Sequence, residues 1–502
     1  MPTATKFPGF KAIIIGAGPT GLSAAHALSL AGVDFVVLER RGQIAKDQGA
    51  SLVLAPGSMR VMQQFGLLEA LDEAGCDVVR SVAFTREGEV MGRTETQLVV
   101  KECHGTCPIS YHRADLIRIL YEGLPAESKS KILLGQQITD IQHVHGRPDN
   151  NSDHGGGDGV RVTCADGTVH TGSIIIGADG VNSLARKTMR RLVLDGAVGG
   201  PFDKNGKSGK PTKASGPVWE DPEDPFESTY RCLWATFPNP DGKTGVNCNS
   251  HDVGRSTMYI SGTDRAWLFL YEELPEKTNS PGVKYTEEEI RTAAEEFGEY
   301  FITEGDDVTG TRAEGLRVKD AMARATRMGM TNIAEGVVKH WSLGRIVLVG
   351  DACHKFTPNA GQGFNTGLQD VVVLCNLLKK ALVQHHRDHP QQTTTKTTTV
   401  APPQLPMATL AALFRQYHDA RQEETASMLE LSATYTRMQA MAGFWWRLLG
   451  WVTLTPWVQS FMVRKVVGPR TAKSAILSYV PFKDKYVGSL PWAMTCSDEG
   501  SE

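Results

Sequence analysis

The sequence has no excess of basic residues, no paired cysteines and no long apolar run near its first residue. It carries 53 lysines and arginines against 56 acidic residues, a formal net charge of −3. We expect no nucleic-acid partner, because a protein without a basic excess gains little by displacing counterions from phosphates. The nine cysteines are scattered and never form a CxxC pair. Their odd number and spacing favour a reduced, intracellular compartment over a disulfide framework.

The first apolar run, residues 12–15, is too short for a signal peptide and leads into a glycine-rich turn, so we interpret it as a buried strand. A hydrophobic content of 41% and a charged content of 22% are those of an ordinary globular protein. With 502 residues the chain is long enough to form more than one domain. We therefore expect an intracellular protein, either cytoplasmic or associated with a membrane.

What the chain does contain is a glycine motif in the setting of a dinucleotide site. Residues 11–38 read as strand, helix and strand, and Gly16, Gly18 and Gly21 lie in the turn that opens the helix. Such a turn lets a pyrophosphate approach free N–H groups at the helix start. Glu39 ends the second strand, where an acid accepts hydrogen bonds from the adenosine ribose. This motif alone does not separate FAD from NAD.

Two more glycine-bearing motifs follow predicted strands. Asp179 and Arg186 belong to the run GADGVNSLAR, and Asp351 belongs to the run GDACH. Ligands bind where parallel strands end at their carboxyl side, so we expect both runs to meet at one cofactor. Three further residues of the last motif open a predicted helix: Gly361, Gly363 and Phe364.

In this order, the three motifs resemble those of the single-component FAD-dependent monooxygenases, the class of para-hydroxybenzoate hydroxylase. The likeness covers roughly residues 10–190 and 230–380. More narrowly, residues 48–67 and 335–351 resemble fungal secondary-metabolite enzymes of the paxilline-epoxidase type. The resemblance implies an α/β fold, with a Rossmann-like FAD-binding domain, an inserted mixed or antiparallel sheet for the substrate and a helical C-terminal region.

The resemblance also implies roles for the last motif. Asp351 would hold the ribityl chain of FAD. Gly361 and Gly363 lead into a predicted helix at 365–378, which would direct N–H groups and a partial positive charge at the pyrimidine edge of the flavin and favour the anionic reduced form. Phe364 stands where the family often has a small residue or methionine, which affects the local fit around the ring.

Other segments would complete the cofactor site by the same resemblance. Asp179 and Arg186 match a fingerprint linked to FAD and to the pyrophosphate of NAD(P)H, and an arginine suits phosphate because its fork is planar and always charged. Arg113 would contact the FAD phosphate region, and Gly49 and Ala50 would flank the flavin. The alternative for Arg186 is a surface ion pair, and for Arg113, Gly49 and Ala50 it is plain packing.

A second, mostly antiparallel sheet is predicted between the second and third motifs. Its strands would include residues 230–237, 256–261 and 266–272, with a hairpin turn at 262–265. The side chains of Trp267, Phe269 and Tyr271 would share one face, either as core or as one wall of an apolar substrate pocket. Tyr230 is the nearest match to a strand tyrosine with a catalytic role in the resembling enzymes; the alternative is ordinary sheet packing.

These observations predict a division of the chain into four regions. They are a discontinuous FAD-binding domain (1–80, 105–190 and 340–383), a substrate domain (81–104 and 191–339), a flexible insertion (384–406) and a helical C-terminal region (407–502). Within the last region, residues 443–463 are strongly apolar but interrupted by Arg447 and Pro456. They are packed helices, a hairpin that dips into a membrane surface, or a true membrane span.

The resemblance implies an FAD-dependent monooxygenase that uses NADPH or NADH and O2. It would hydroxylate or epoxidise an apolar small molecule through a flavin C4a-hydroperoxide, and it needs no metal. One alternative is a flavin dehydrogenase or reductase of a prenylated or polycyclic metabolite, and another is a non-catalytic FAD-binding protein. A flavin halogenase is disfavoured, because the WxWxIP motif is absent from the sequence.

Overall fold

The computed structural model describes residues 6–47, 49–144, 158–196, 219–240, 242–279, 283–305, 315–389 and 405–495. The strands are β1 Lys11–Ile15, β2 Asp34–Glu39, β3 Ser51–Leu54, β4 Cys76–Asp77, β5 Arg80–Thr85, β6 Val90–Thr94, β7 Ile109–His112, β8 Ile132–Leu134, β9 Ile138–Val144, β10 Gly159–Cys164, β11 Val169–Gly172, β12 Ile174–Gly177, β13 Glu227–Pro238, β14 Val246–Asp252, β15 Arg255–Ser261, β16 Arg265–Thr278, β17 Arg327–Val337, β18 Ser342–Leu343, β19 Ile346–Leu348 and β20 His354–Lys355. The α-helices are α1 Pro19–Ala31, α2 Pro56–Gln64, α3 Leu68–Ala74, α4 Thr96–His104, α5 Arg113–Glu122, α6 Ala126–Lys129, α7 Leu184–Leu194, α8 Glu287–Glu296, α9 Val318–Met322, α10 Gln362–Asp388, α11 Met407–Gln439, α12 Phe444–Thr453, α13 Pro456–Met462 and α14 Gly468–Thr471.

The first layer is a six-stranded sheet in the order β18-β19-β12-β1-β2-β8. Its central strands pair in parallel, β1 with β2 and β12, and β12 with β19. They are rich in isoleucine and buried on both faces, as parallel strands covered by helices must be. The expected α/β fold is therefore confirmed. Helix α1 begins at Pro19, since proline is tolerated at the first helical position, where no N–H bond is lost.

The second layer is an eight-stranded sheet in the order β20-β17-β13-β16-β15-β14-β5-β6. Its neighbours pair antiparallel except β14 with β5. Alternation divides its side chains between two clusters. Leu268 and Leu270 pack toward α8 and α9, whereas Trp267, Phe269 and Tyr271 lie together on the opposite face. The expected antiparallel sheet and its hairpin turn are confirmed, while the predicted domain boundaries stay a prediction.

The C-terminal region is helical, as expected, and it holds the two layers together. Helix α11 packs along α10 and reaches the second sheet, where the Gln439 amide donates to Oδ1 of Asn249 (3.1 Å). Residues 475–495 then run back along α1 and α2 as irregular chain, and Asp484 pairs with the fully buried Arg60 of α2 at 2.5 Å. Within the described ranges, no helix is both long and apolar enough to cross a membrane.

The expected flexible insertion at 384–406 is shorter on its N-terminal side than the sequence indicates. Helix α10 continues to Asp388, so residues 384–388 are helical. Residues 390–404 of that insertion lie outside the described residues.

We predict that Arg421→Met destabilises the fold strongly. Arg421 is buried, and its Nε donates to Oδ1 of the fully buried Asp370 at 2.9 Å. Removal of the guanidinium leaves a buried carboxylate with one cation fewer, which costs about 3–5 kcal/mol of unfolding free energy. Urea denaturation followed by circular dichroism measures the change. The matched control is Gln416→Met on the exposed side of the same helix; equal midpoints for the two variants would contradict the prediction.

Candidate FAD site

The glycine turn between β1 and α1 has the shape of a phosphate cradle. Gly16 has a φ of +99°, and a Cβ there would lie 2.6 Å from the carbonyl oxygen of Ala178. A Cβ on Gly21 would collide with the carbonyl oxygen of Gly16, whereas one on Gly18 would meet nothing within 4 Å. Gly16 and Gly21 therefore permit close packing of strand and helix, and Gly18 leaves open space beside the first N–H groups of α1.

Glu39 lies at the end of β2 and faces this turn. Its Oε2 accepts the backbone N–H of Ala17 at 2.8 Å, and its Oε1 accepts that of Arg41 at 2.9 Å. The side chain is buried. Each carboxylate oxygen keeps a further lone pair for a hydroxyl group, so the position fits a ribose partner, and that role stays a prediction.

Arg113, Gly49 and Asp351 come together from three segments that are distant in the sequence. Gly49 has a φ of +98°, and a Cβ there would lie 3.1 Å from Cδ of Arg113. The backbone N–H of Arg113 donates to the carbonyl of Ala50 at 3.0 Å. Burial lowers the pKa of Arg113, the charge of Arg41 lowers it further, and the charge of Asp351 opposes them. A half-buried guanidinium beside Gly49 and the third motif suits a phosphate-bearing ligand.

The third motif turns through a short 3-10 segment, Gly350–Ala352, that presents Asp351 at the edge of the site. The Asp351 carboxylate is about one-third exposed and pairs with Lys355. A Cβ on Gly363 would lie 3.8 Å from Oδ1 of Asp351, so the carboxylate faces the first turn of α10. Gly361 begins this helix with a φ of +63°. Phe364 is buried in the main core, so its ring supports the helix start from behind.

Asn365 has a structural role that we did not predict from the sequence. Its Oδ1 accepts the backbone N–H of Ala55 at 2.9 Å and the hydroxyl of Ser58 at 2.6 Å. Its amide donates to the carbonyls of Val53 and Gly361. One side chain thus fixes the β3–α2 connection against the N-terminus of α10. This role could not be predicted, because the sequence does not distinguish a buried asparagine in the first turn of a helix from one that is exposed to solvent.

Asp179 and Arg186 connect the second motif to the third. Asp179 accepts from the Ser183 hydroxyl at 2.6 Å and from the first free N–H groups of α7, which satisfies the helix N-terminus. Arg186 is buried; one Nη donates to the carbonyl of Ala352 and the other to that of Val181, both at 2.7 Å. The Arg186 fork therefore positions the turn that carries Asp351. Contact with a pyrophosphate stays a prediction.

A second network lies behind that turn, and its centre could not be predicted from the sequence. The centre is Asp370. Its Oδ2 accepts the backbone N–H of Gly350 at 2.9 Å and lies 2.6 Å from Nε2 of His354. Burial raises the pKa of Asp370, but His354 and Arg421 outweigh that effect and lower the pKa to about 2. The side chains of Cys353, His354 and Asp370 lie close enough together to hold a metal ion. The Asp370 carboxylate, however, already contacts the backbone N–H of Gly350, the imidazole of His354 and the guanidinium of Arg421.

The apolar face of the second sheet lies against the segment that carries Gly49 and Ala50. Ala50, Tyr230 and Trp267 belong to one buried cluster, together with Ala440 at the end of α11 and other side chains of the face: Cys232, Met258, Ile260, Phe269, Tyr271 and Ile333. The indole N–H of Trp267 donates to Nδ1 of His112 at 3.3 Å. The other imidazole nitrogen of His112 then donates to Asp47 at 2.8 Å. This pair fixes the orientation of the tryptophan ring in the face.

Tyr230 stands on this face and is almost fully buried. It follows an irregularity in the pairing of β13 with both neighbours, where the register shifts between Ser228 and Tyr230. Burial raises the pKa of Tyr230 to about 12, and the charge of Glu273 adds to the effect. The phenol is therefore neutral at physiological pH and acts as a hydrogen-bond donor or acceptor, not as an anion.

Comparison with known proteins agrees with this geometry. The family described as FAD binding domain matches residues 10–195 and 269–401. The FAD-dependent monooxygenase DEP2 of Alternaria brassicicola is 30% identical over 494 residues, which cover 97% of this chain and 82% of that protein. The FAD-dependent monooxygenase dpchE of Colletotrichum higginsianum is 27% identical over 478 residues, 94% of this chain and 90% of the relative. HpxO of Klebsiella pneumoniae, solved with FAD and uric acid, has a TM-score of 0.62 at 18% identity and covers 93% of this chain and 96% of its own.

The chain belongs to the FAD-dependent monooxygenases of the para-hydroxybenzoate-hydroxylase class, the family of secondary-metabolite oxidoreductases that its motifs indicated. FAD is its cofactor. The open space at Gly18, the half-buried Arg113 and the one-third-exposed Asp351 fit the pyrophosphate and ribityl portions of that molecule.

We predict that Asp351→Ala weakens FAD binding about 10- to 100-fold, since a hydrogen bond to a charged group contributes roughly 1.5–3 kcal/mol. Fluorescence titration of the apoprotein with FAD measures the dissociation constant. The matched control is Asp388→Ala, an exposed carboxylate at the far end of α10, which should bind FAD as the unmodified protein does. An unchanged dissociation constant in Asp351→Ala would contradict the proposal that Asp351 holds the ribityl chain of FAD.

Proposed function

We propose that this protein uses NADPH or NADH and O2 to hydroxylate or epoxidise an apolar small molecule at the second sheet. The observation that carries the proposal is one buried cluster. It joins Ala50, which would flank the flavin, to Tyr230 and Trp267 on the second sheet. A substrate on this face would lie between the aromatic side chains and the reactive ring. The relatives named above are monooxygenases, which supports the reaction class.

The residues of the face would exclude water and orient the substrate. Bound FAD supplies the reactivity, which is the transfer of one oxygen atom from O2 after reduction by the nicotinamide. Trp267, held by His112, would give a flat apolar wall, and the exclusion of water from the pocket would limit side reactions. The neutral hydroxyl of Tyr230 would form a hydrogen bond with a polar group of the substrate or with the oxygen atom that is transferred.

The N-terminus of α10 would contribute electrostatics at the opposite edge of the ring. The first N–H groups of a helix carry a partial positive charge, and Gly361 and Gly363 place no side chain before them. A negative charge that develops on the reduced ring would be stabilised there without reorganisation of solvent. The sequence contains no second glycine-rich dinucleotide motif, so we propose that the nicotinamide visits the site transiently and that Arg186 or Arg113 meets its phosphates.

The proposal is tested by incubation of the FAD-loaded protein with NADPH or NADH, isotopically labelled O2 and a panel of polycyclic and prenylated apolar compounds. The expected result is nicotinamide oxidation that rises with substrate and a product that contains one labelled oxygen atom. A product that has lost two hydrogen atoms without a gain of oxygen would replace the proposal with the dehydrogenase alternative.

We predict that Tyr230→Phe keeps FAD but separates nicotinamide oxidation from product formation. The change removes one hydroxyl and little volume, so product formation should fall about tenfold for a lost stabilisation of roughly 1.4 kcal/mol, while peroxide accumulates. The ratio of product to oxidised nicotinamide is measured by chromatography. Tyr259→Phe is the matched control, because Tyr259 is equally buried on the opposite face of the same sheet. A ratio equal to that of the unmodified protein would leave Tyr230 with a packing role.

A further inference from the structure

The hairpin of α12 and α13 presents large apolar side chains to solvent. Phe444, Trp445, Trp451 and Trp457 are exposed by 66–75%. Further exposed apolar residues lie on the same two helices: Leu448, Leu449, Val452, Phe461 and Met462. The four aromatic side chains alone expose on the order of 400–700 Å², given roughly 150–250 Å² for each. A patch of this size marks an interaction surface, since the largest patch on a typical monomer is about 300–600 Å².

The hairpin is mounted on the protein by its other side. Gly450 is buried, and Leu454 packs within 3.3 Å of where a Cβ on Gly92 would stand. The Thr96 hydroxyl of α4 bonds to Gln459, and Arg464 forms a two-pronged ion pair with Glu102 at 2.6 Å. The inner side of the hairpin is thus fixed to the edge of the second sheet and to α4. Packing explains these residues, but it does not explain the exposed tryptophans.

The composition of α12 shows that its outer side is not an ordinary solvent face. The helix reads FWWRLLGWVT, in which Arg447 is the one charged residue, and a helix with so few polar residues is normally buried. Among the described residues, the fold covers only one side of it. The uncovered side therefore needs an apolar partner from outside this chain.

The charge around the hairpin indicates what that partner is. No acidic residue occurs from 431 to 483, a segment that contains seven basic residues: Arg437, Arg447, Arg464, Lys465, Arg470, Lys473 and Lys483. Glu102, which approaches the segment from α4, is neutralised by Arg464. Arg447 and Lys465 are exposed beside the aromatic side chains. A second copy of this chain would bring like charges together, whereas an anionic lipid surface offers the opposite charge.

We propose that the α12–α13 hairpin docks this protein on the surface of a membrane that contains anionic lipids. The ten-residue α12 is about 15 Å long, half the thickness of the hydrocarbon core, and Pro456 starts a new helix after it. The hairpin lies in the headgroup region with its aromatic side chains inserted, the depth that tryptophan favours. Arg447 and Lys465 contact the lipid phosphates. Because the hairpin is fixed to the second sheet, docking brings the proposed substrate layer close to the lipid.

The test is flotation of the FAD-loaded full-length protein with vesicles of phosphatidylcholine alone or mixed with phosphatidylserine, at low and high salt. We expect flotation with the mixed vesicles, weakened by salt. The triple variant Trp445→Ser, Trp451→Ser and Trp457→Ser should lose it. Arg447→Gln and Lys465→Gln should each lower the partition coefficient about fivefold on mixed vesicles, given ~1 kcal/mol per basic side chain near an anionic surface.

The controls separate docking from loss of fold and from self-association. Val169→Ser with Val253→Ser removes two exposed apolar side chains elsewhere, and Arg161→Gln with Lys284→Gln removes two exposed charges elsewhere; both should float normally. Flavin absorbance and thermal unfolding should be unchanged in the triple variant. Absence of flotation by the unmodified protein, or a tryptophan-dependent dimer in solution that does not float, would overturn the proposal.

Discussion

One buried carboxylate, that of Asp370, supports both the cofactor turn and the C-terminal helix. It accepts the N–H of Gly350, contacts His354 and pairs with Arg421, so that it joins the third motif to α11. A charge so deeply buried is tolerated only when it is fully paired. The turn that carries Asp351 therefore cannot form its geometry until α10 and α11 have packed, and cofactor binding and folding depend on the same contact.

The second constraint is the close approach of helices α1 and α10. It explains why glycine occurs at positions that have no predicted contact with the cofactor. A Cβ on Gly350 or on Gly367 would lie 3.0 Å from Oγ1 of Thr20. Helices α1 and α10 cross at this point, so their N-termini are directed toward one site. Two helix N-termini then add their partial positive charges near a ligand that carries phosphates. The glycines in this region serve the convergence of helices as much as contact with the cofactor.

The layers could be predicted from the sequence because local patterns determine them. A run of isoleucines before Gly16 predicts a buried parallel strand, and the alternation of Trp267, Phe269 and Tyr271 predicts a shared face; both are confirmed. The network around Asp370 could not be predicted, since Arg421 lies in the run RQEETA, which resembles an exposed helix face. Only the packing of α11 on α10 buries it. The roles of the site residues themselves rest on proximity, which no local pattern encodes.

The C-terminal segment shows why the same apolar pattern has different structural outcomes. Residues 443–463 contain four tryptophans, and composition alone allows core, membrane surface or span. In the fold, the two sides of this segment have different surroundings. Gly450 and Leu454 contact the protein, whereas Trp445, Trp451 and Trp457 are exposed to solvent. Folding buries apolar area only where a partner surface exists, and the edge of the second sheet provides one side. Burial of the other side would contribute about 25 cal/mol per Å² of apolar surface, and this free energy is available for binding to the proposed membrane. The binding surface then lies next to the proposed substrate layer.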